Sequence, residues 1–172
     1  FRTIAGARGD AYDFTVDSNL SANSGKANEQ MVTPKLALIF GPWQKTELYL
    51  NYGHGFHSND ARGTTITQEP GTGNAVDKVK PLVRTKGYEI GLRSEIVPGW
   101  QSTVALWQLD AASELLFVGD AGTTEASRPS RRYGLEWTNL YVATDWLAFD
   151  ADLAPSHARL NHAAPPRRYI PG

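Results

Sequence analysis

The chain has 172 residues, a net charge of −1 and no cysteine. That length suffices for one domain with a sizeable core, the balanced charge provides no overall basic field for nucleic acid or anionic lipid, and the missing thiols exclude a disulfide framework, thiol catalysis and cysteine zinc sites. The longest apolar run, Leu36 to Phe40, is far too short for a membrane helix but leaves open a β-barrel, whose strands are apolar only at every second residue.

Taken in order, Phe1 to Val16 reads as a strand, with Arg8, Asp10 and Tyr12 on one face and Ala5, Ala7, Gly9 and Ala11 on the other. Phe1 falls inside this element, with no initiator methionine or signal-peptide pattern before it, so a fragment or a processed chain is expected. Asp17 to Met31 is small and polar and reads as a loop. A strand from Val32 to Gly41 follows, then a short break over Gly41 to Lys45, then a strand from Thr46 to Phe56 with Leu48, Leu50 and Tyr52 opposite Glu47, Tyr49 and Asn51. His57 to Arg84 reads as a long loop, a length more often functional or mobile than idle in a compact domain.

Thr85 to Asp110 is the clearest stretch. Tyr88, Ile90 and Leu92 alternate with Glu89, Gly91, Arg93 and Glu95, and Thr103, Ala105, Trp107 and Leu109 alternate with Val104, Leu106, Gln108 and Asp110. Period-two alternation across the tight turn Val97-Pro98-Gly99-Trp100 specifies an antiparallel hairpin with an apolar and a charged face. The second strand is extended provisionally to Val118, and Gly119 to Ser130 reads as a loop. A strand over Arg131 to Tyr141, a turn over Val142 to Trp146, a strand over Leu147 to Ser156 and an irregular tail from His157 complete the chain. No helix is expected, since no segment repeats its apolar residues at helical spacing.

Two architectures fit this pattern: a soluble β-sandwich with the charged face in water, or a transmembrane barrel with the charged face lining its lumen. Three features favour the barrel. Long and short connections alternate, which in a meander sorts all long loops to one end, as in outer-membrane barrels. Each short turn contains or adjoins a tryptophan: Trp43, Trp100 and Trp146. At one height these would form a membrane-interface girdle, with Tyr52, Tyr88 and Tyr133 forming a second at the long-loop ends. Finally, the strands run to about ten residues, longer than the usual five or six and enough to cross a bilayer when tilted.

The segment TPKLALIFGPWQKTELYLNYGHGFHSND resembles the barrel of TonB-dependent outer-membrane receptors, where a strand of the form SPKLGL enters a short turn and the next rises as LYxxYGxGF into a large loop. TKGYEIGLRSEIVPGWQSTVALWQLD is similar to that family's following hairpin, RRYGLEW to its next strand, and RRYIPG to the lead-in of a later one. The resemblance implies an all-β, antiparallel up-and-down meander forming part of a transmembrane β-barrel. Over residues 1–172 about seven strands are expected, from the second half of a barrel of about twenty-two, with no plug domain and both edges missing. It further implies a receptor in the bacterial outer membrane for a scarce small-molecule ligand such as a metal or iron chelate, a siderophore complex for instance. Outer-membrane lipid would surround it, and a TonB-type energy-coupling protein would act through the missing plug. No cofactor, no metal site, no catalytic residue and no nucleic-acid partner is implied.

The ligand-facing residues expected on the long loop are His57, Asn59, Asp60, Arg62, Thr64 and Gln68, with Gly63, Gly71 and Gly73 letting the loop move. Other constellations carry less. His54 and His57 form H-x-x-H near Asp60, but on a strand end with no third ligand fixed. Ser156, His157 and the aspartates lack a nucleophile elbow. Glu89, Glu95 and Glu136 form a glycosidase pair only at a suitable separation, and Gly71-Thr72-Gly73 lacks the helix and Lys-Ser/Thr pair of a phosphate loop. A soluble sandwich binding carbohydrate or protein is the alternative, and a β-rich enzyme the third.

Overall fold

The computed structural model describes residues 1–113, 115–118, 123–126 and 129–160. Its main sheet contains β1 (Arg2–Val16), β2 (Gly25–Trp43), β3 (Thr46–Ser58), β4 (Leu82–Ser94), β5 (Trp100–Ala111), β8 (Ser130–Thr144), β9 (Leu147–Leu153) and β10 (Ser156–Leu160); β6 (Leu115–Val118) and β7 (Thr123–Ala126) form a separate hairpin in the connection after β5. Every pairing is antiparallel and the order is β1-β2-β3-β4-β5-β8, with β9 and β10 both paired to β8. The sheet is therefore an up-and-down meander of seven positions, the last filled by one strand interrupted at residues 154–155.

Several boundaries differ from the sequence reading. Gly25 to Met31 is strand rather than loop, because it pairs residue for residue with Asp10 to Val16. The second hairpin strand stops at Ala111 instead of reaching Val118. The interval 119–130 contains β7, and His157 to Leu160 belongs to a strand rather than an irregular tail. A one-turn helix, α1 (Ala61–Thr65), and a 3-10 turn at Ser21–Asn23 appear where none was expected. Both are too short for apolar periodicity to show. The RRYIPG motif lies outside the described residues.

The turns follow from backbone geometry. Gln44 and Lys45 both adopt positive φ (47° and 61°), the pattern of a two-residue turn whose twist matches that of its strands. At the β4–β5 turn Gly99 has φ 77°, and a Cβ there would meet the Val142 carbonyl oxygen at 2.6 Å. The Val142 amide also donates to the Gly99 carbonyl at 2.8 Å, so this turn docks on β8.

Register assigns the faces, since directly paired residues share one. Leu38, Leu50, Ile90, Leu106 and Leu135 form one continuous apolar row, and Phe40, Leu48, Leu92, Val104, Trp137 and Leu153 another. Next to the leucines stands a row of Tyr52, Tyr88, Gln108, Tyr133 and His157, with the Tyr52 and Tyr88 rings 5.2 Å apart. The opposite face carries Ile4, Ala37, Asn51, Glu89, Trp107 and Gly134 in one row and Ile39, Tyr49, Gly91, Ala105 and Glu136 in the next. Trp107 thus pairs with Glu89 on the charged face, and Leu106, not Trp107, continues the apolar face of Ile90. Glycines seat the aromatics there. A Cβ on Gly91 would lie inside the Tyr49 ring, and one on Gly134 would meet the Trp107 indole at 2.9 Å.

Candidate ligand-facing site

Two features are candidates: a groove at mid-sheet on the charged face and a folded pair of loops at the long-loop end. The groove, about 610 Å³, is lined by Ile4, Lys35, Asn51, Glu89, Trp107 and Glu136 among others. The Asn51 amide donates to Glu89 at 2.9 Å and fixes that carboxylate. The Trp107 indole N–H is buried without an acceptor among the described residues. A wall with both charge signs, an amide and an indole can offer hydrogen bonds to a polar solute, but it holds no nucleophile–base pair.

Above it, the loop between β3 and β4 spans residues 59–81 and is folded. Asn59 closes its base: its amide donates to Pro81 O at 2.8 Å and its side chain to Lys80 O at 2.7 Å. Asp60 caps α1 by accepting from the Arg62 amide at 2.9 Å, and pairs with the Arg62 guanidinium at 2.6 Å. The Arg62 hydrogen bond holds the Asp60 carboxyl below the ordinary aspartate range, against the opposing effect of partial burial. Thr64 is buried and donates to Ala61 O at 2.6 Å.

The centre of this assembly is Asn23, at the end of the 3-10 turn in the β1–β2 connection. It is 6% exposed. Its side-chain oxygen accepts from the Thr67 and Gln68 amides at 2.9 and 3.0 Å, and its side-chain NH2 donates to Gln68 O at 2.8 Å. Thr65 and Thr67 hydroxyls donate to the carbonyls of Asn23 and Ala22 at 2.9 and 2.7 Å. Two connections far apart in sequence are thereby clasped together.

The expected ligand-facing residues therefore separate. His57 lies in β3, paired with Val83, rather than in the loop. Asn59 and Thr64 are buried, and Gln68 is held through its backbone by Asn23. Asp60 is partly taken up by its cap. Arg62 alone of the six presents a largely exposed charged side chain. Nor is the loop hinged at Gly63, which is buried with its amide and carbonyl both bonded, to Asp60 O and Val79 N. Gly71 and Gly73, with φ 98° and 73°, instead build a tight tip over Glu69–Asn74, above the Gln68–Ala75 bridge. Sequence reasoning missed Asn23, Lys35 and Trp107. The alternation around Trp107 was visible, but only the cross-strand register says which face its set occupies.

His54 and His57, three apart on a strand, face opposite sides. His54 Nδ1 accepts from the Arg84 guanidinium at 2.7 Å, so the neutral ring carries its proton on Nε2 and donates to the Tyr52 hydroxyl oxygen at 2.6 Å. No group of three His, Asp or Glu among the described residues is placed to hold a metal ion. Ser156 and His157 are neighbours on β10 and so face opposite sides as well. Trp43, Trp100 and Trp146 all lie at the turn end, at the foot of β2, the foot of β5 and the β8–β9 turn, with Trp43 61% and Trp146 82% exposed.

An antiparallel meander with a band of apolar rows on one face and a charged opposite face is the architecture of a transmembrane β-barrel wall. Residues 1–164 match the family described as TonB dependent receptor-like, beta-barrel. The chain belongs to that family, whose members are bacterial outer-membrane proteins. Among solved structures it is similar to a copper transporter, OprC, with 22% identity and a TM-score of 0.68 over 92% of this chain and 26% of that one. It is likewise similar to the FrpB iron transporter from Neisseria meningitidis, with 16% identity and a TM-score of 0.64 over 92% of this chain and 23% of that one. BauA, the ferric preacinetobactin receptor from Acinetobacter baumannii, gives 20% identity and a TM-score of 0.65 over 92% and 22%. The chain spans about a quarter of the length of these proteins. No curated protein matches it by sequence.

Proposed function

We propose that residues 1–172 form a section of the barrel of a TonB-dependent receptor that captures a scarce ligand, such as an iron or other metal chelate, and admits it through a gated lumen. A TonB-type protein would supply the energy through a plug domain of the parent receptor. The process is binding and passage rather than catalysis. The family match over residues 1–164 carries this reading, and the titles of the similar structures, which print copper and iron transport and a ferric siderophore, support the ligand class. A soluble sandwich would need a second sheet packed on the apolar rows, and the described residues contain none.

Within that reading, the ligand-facing elements are the Glu69–Asn74 tip with Arg62, presented by the Asn23 clasp, while Trp43, Trp100 and Trp146 form the girdle at the periplasmic interface. The test is uptake of radiolabelled metal chelates by cells carrying the intact receptor gene, against cells lacking it and cells in which residues 70–73 are deleted. Loss of uptake without the gene, and weakened binding with normal outer-membrane insertion in the tip deletion, are the expected results. Uptake independent of the gene for every chelate tried would sink the transport reading.

A further inference from the structure

The apolar face changes character abruptly at the long-loop end. Immediately above the tyrosine row, the register sets His54, Lys86, Asp110, Arg131 and Arg159 side by side across β3, β4, β5, β8 and β10. Arg84 stands one step higher on the same face, donating to His54 Nδ1 at 2.7 Å and to Val32 O at 3.1 Å. Among the described residues, four permanent cations thus share the patch with one carboxylate, Asp110, which Arg131 engages at 2.6 Å. Arg159 lies over the Tyr133 ring, 5.9 Å from its centroid; Lys86 faces Asp110 across β4 and β5 without closing a salt bridge. Below the patch, from the tyrosine row down to Thr46, Ser94, Ser102 and Asn139, the same face of β2, β3, β4, β5 and β8 has no Asp, Glu, Lys or Arg. The net charge of −1 conceals this patch, because Glu47, Glu89, Glu136, Asp150 and Asp152 stand on the other face.

Its height is informative. From Trp100, at the turn end, to Asp110 there are ten residues of β5, about 33 Å of strand, or about 25 Å along the bilayer normal at a tilt of ~40°, which equals the apolar band of an outer-membrane barrel. If the tryptophans mark one interface, the cations stand at the headgroups of the other.

We propose that this outward strip is a docking site for the phosphate groups of a lipid in the extracellular leaflet. Guanidinium forks and a mobile ammonium match phosphate oxygens, and the tyrosine row beneath packs against the start of the acyl chains. The site rests on the membrane-spanning reading but is independent of the transported ligand.

The experiment uses the intact receptor, purified from outer membranes and offered phosphatidic acid and phosphatidylcholine in mixed micelles, with bound lipid counted by native mass spectrometry. The double variant Lys86→Gln/Arg159→Gln leaves the Arg131–Asp110 salt bridge in place and should lower phosphatidic acid retention on the order of tenfold, leaving phosphatidylcholine retention unchanged. Lys86→Gln alone should shift retention in the same direction if the double variant folds poorly. Arg93→Gln, the same charge change on the lumen face, should have no effect, and millimolar inorganic phosphate should not displace the lipid. Equal retention by wild type and variants, an equal loss with Arg93→Gln, or displacement by free phosphate would overturn the lipid site. A receptor absent from the outer membrane would instead refute the membrane-spanning reading beneath it.

Discussion

The two ends of this sheet solve the same problem, reversing the chain, in opposite ways. At the turn end the strands return within two to five residues, held by backbone geometry: Gln44 and Lys45 at positive φ, and Gly99 docked on Val142. Large side chains such as Trp43 and Trp146 stand fully out. At the long-loop end the chain makes wide excursions and then orders them with buried polar contacts. The buried hydrophobics Met31, Leu82 and Val83, and the buried polar residues Asn23, Thr33, Asn59, Thr64 and Thr65, gather there. One end is cheap to form and tolerant of side-chain chemistry, whereas the other depends on particular amides. For a barrel this division is useful, because short turns leave the membrane wall simple while, on the function proposed above, the ordered loops hold a recognition surface in place before any ligand arrives.

The sharpest way to break that contrast is to place the same substitution at both ends. Gly99→Ala should destabilise the intact receptor most. The positive φ costs roughly 1–3 kcal/mol for a non-glycine residue, and the new methyl collides with a backbone carbonyl rather than a side chain that could move. Gly71→Ala carries a similar φ cost but meets nothing within 4 Å. Thermal unfolding should show a large fall in Tm for the first and a distinctly smaller one for the second. Equal falls would show that turn docking contributes nothing.

Asn23→Ala should come next, and its effect should be local. Removing a buried amide that serves three backbone groups leaves each unsatisfied, at about 1–3 kcal/mol apiece before relaxation. Hydrogen exchange at Thr67 and Gln68 should quicken by at least about tenfold, while the amides of β3 and β4 stay protected. Unchanged exchange at Thr67 and Gln68 would mean that the two connections are not clasped by this side chain.

How much of this was legible beforehand follows from the range of each interaction. Strands such as Tyr88–Leu92 are encoded in alternation, a property of neighbours, and the meander follows from short turns; the row of Tyr52, Tyr88 and Tyr133 could be placed for the same reason. Gly25 to Met31 reads as a loop because its composition is polar. It is a strand only because Asp10 to Val16 lies beside it, and a projecting hairpin need not be apolar. The loop site was the least legible. Asn59 and Thr64 look like exposed donors in a list of residue types, yet both are consumed by the loop's own folding. Asn23 gives no local signal at all, since its partners lie more than forty residues away.

The smallest expected effect concerns pH at the α1 cap. Asp60 titrates below its ordinary value of 3.8 because the Arg62 side chain and amide both donate to its ionised form. A carboxyl whose folded pKa is depressed adds stability that is fully present above the unfolded value and is lost as pH falls through the folded one. The cap should therefore be intact at neutral pH and begin to weaken only below about pH 4. Carbon-13 titration of the Asp60 carboxyl in the detergent-solubilised receptor should give a midpoint under 3.8, moving back towards it in Arg62→Gln. Asp60→Ala removes the cap outright and should cost about 1 kcal/mol locally, read as faster exchange over residues 61–66 but not at Gln68, which the clasp still holds. Faster exchange at Gln68 as well would show that cap and clasp form one cooperative unit, and that the long-loop end orders itself as a whole rather than in separate pieces.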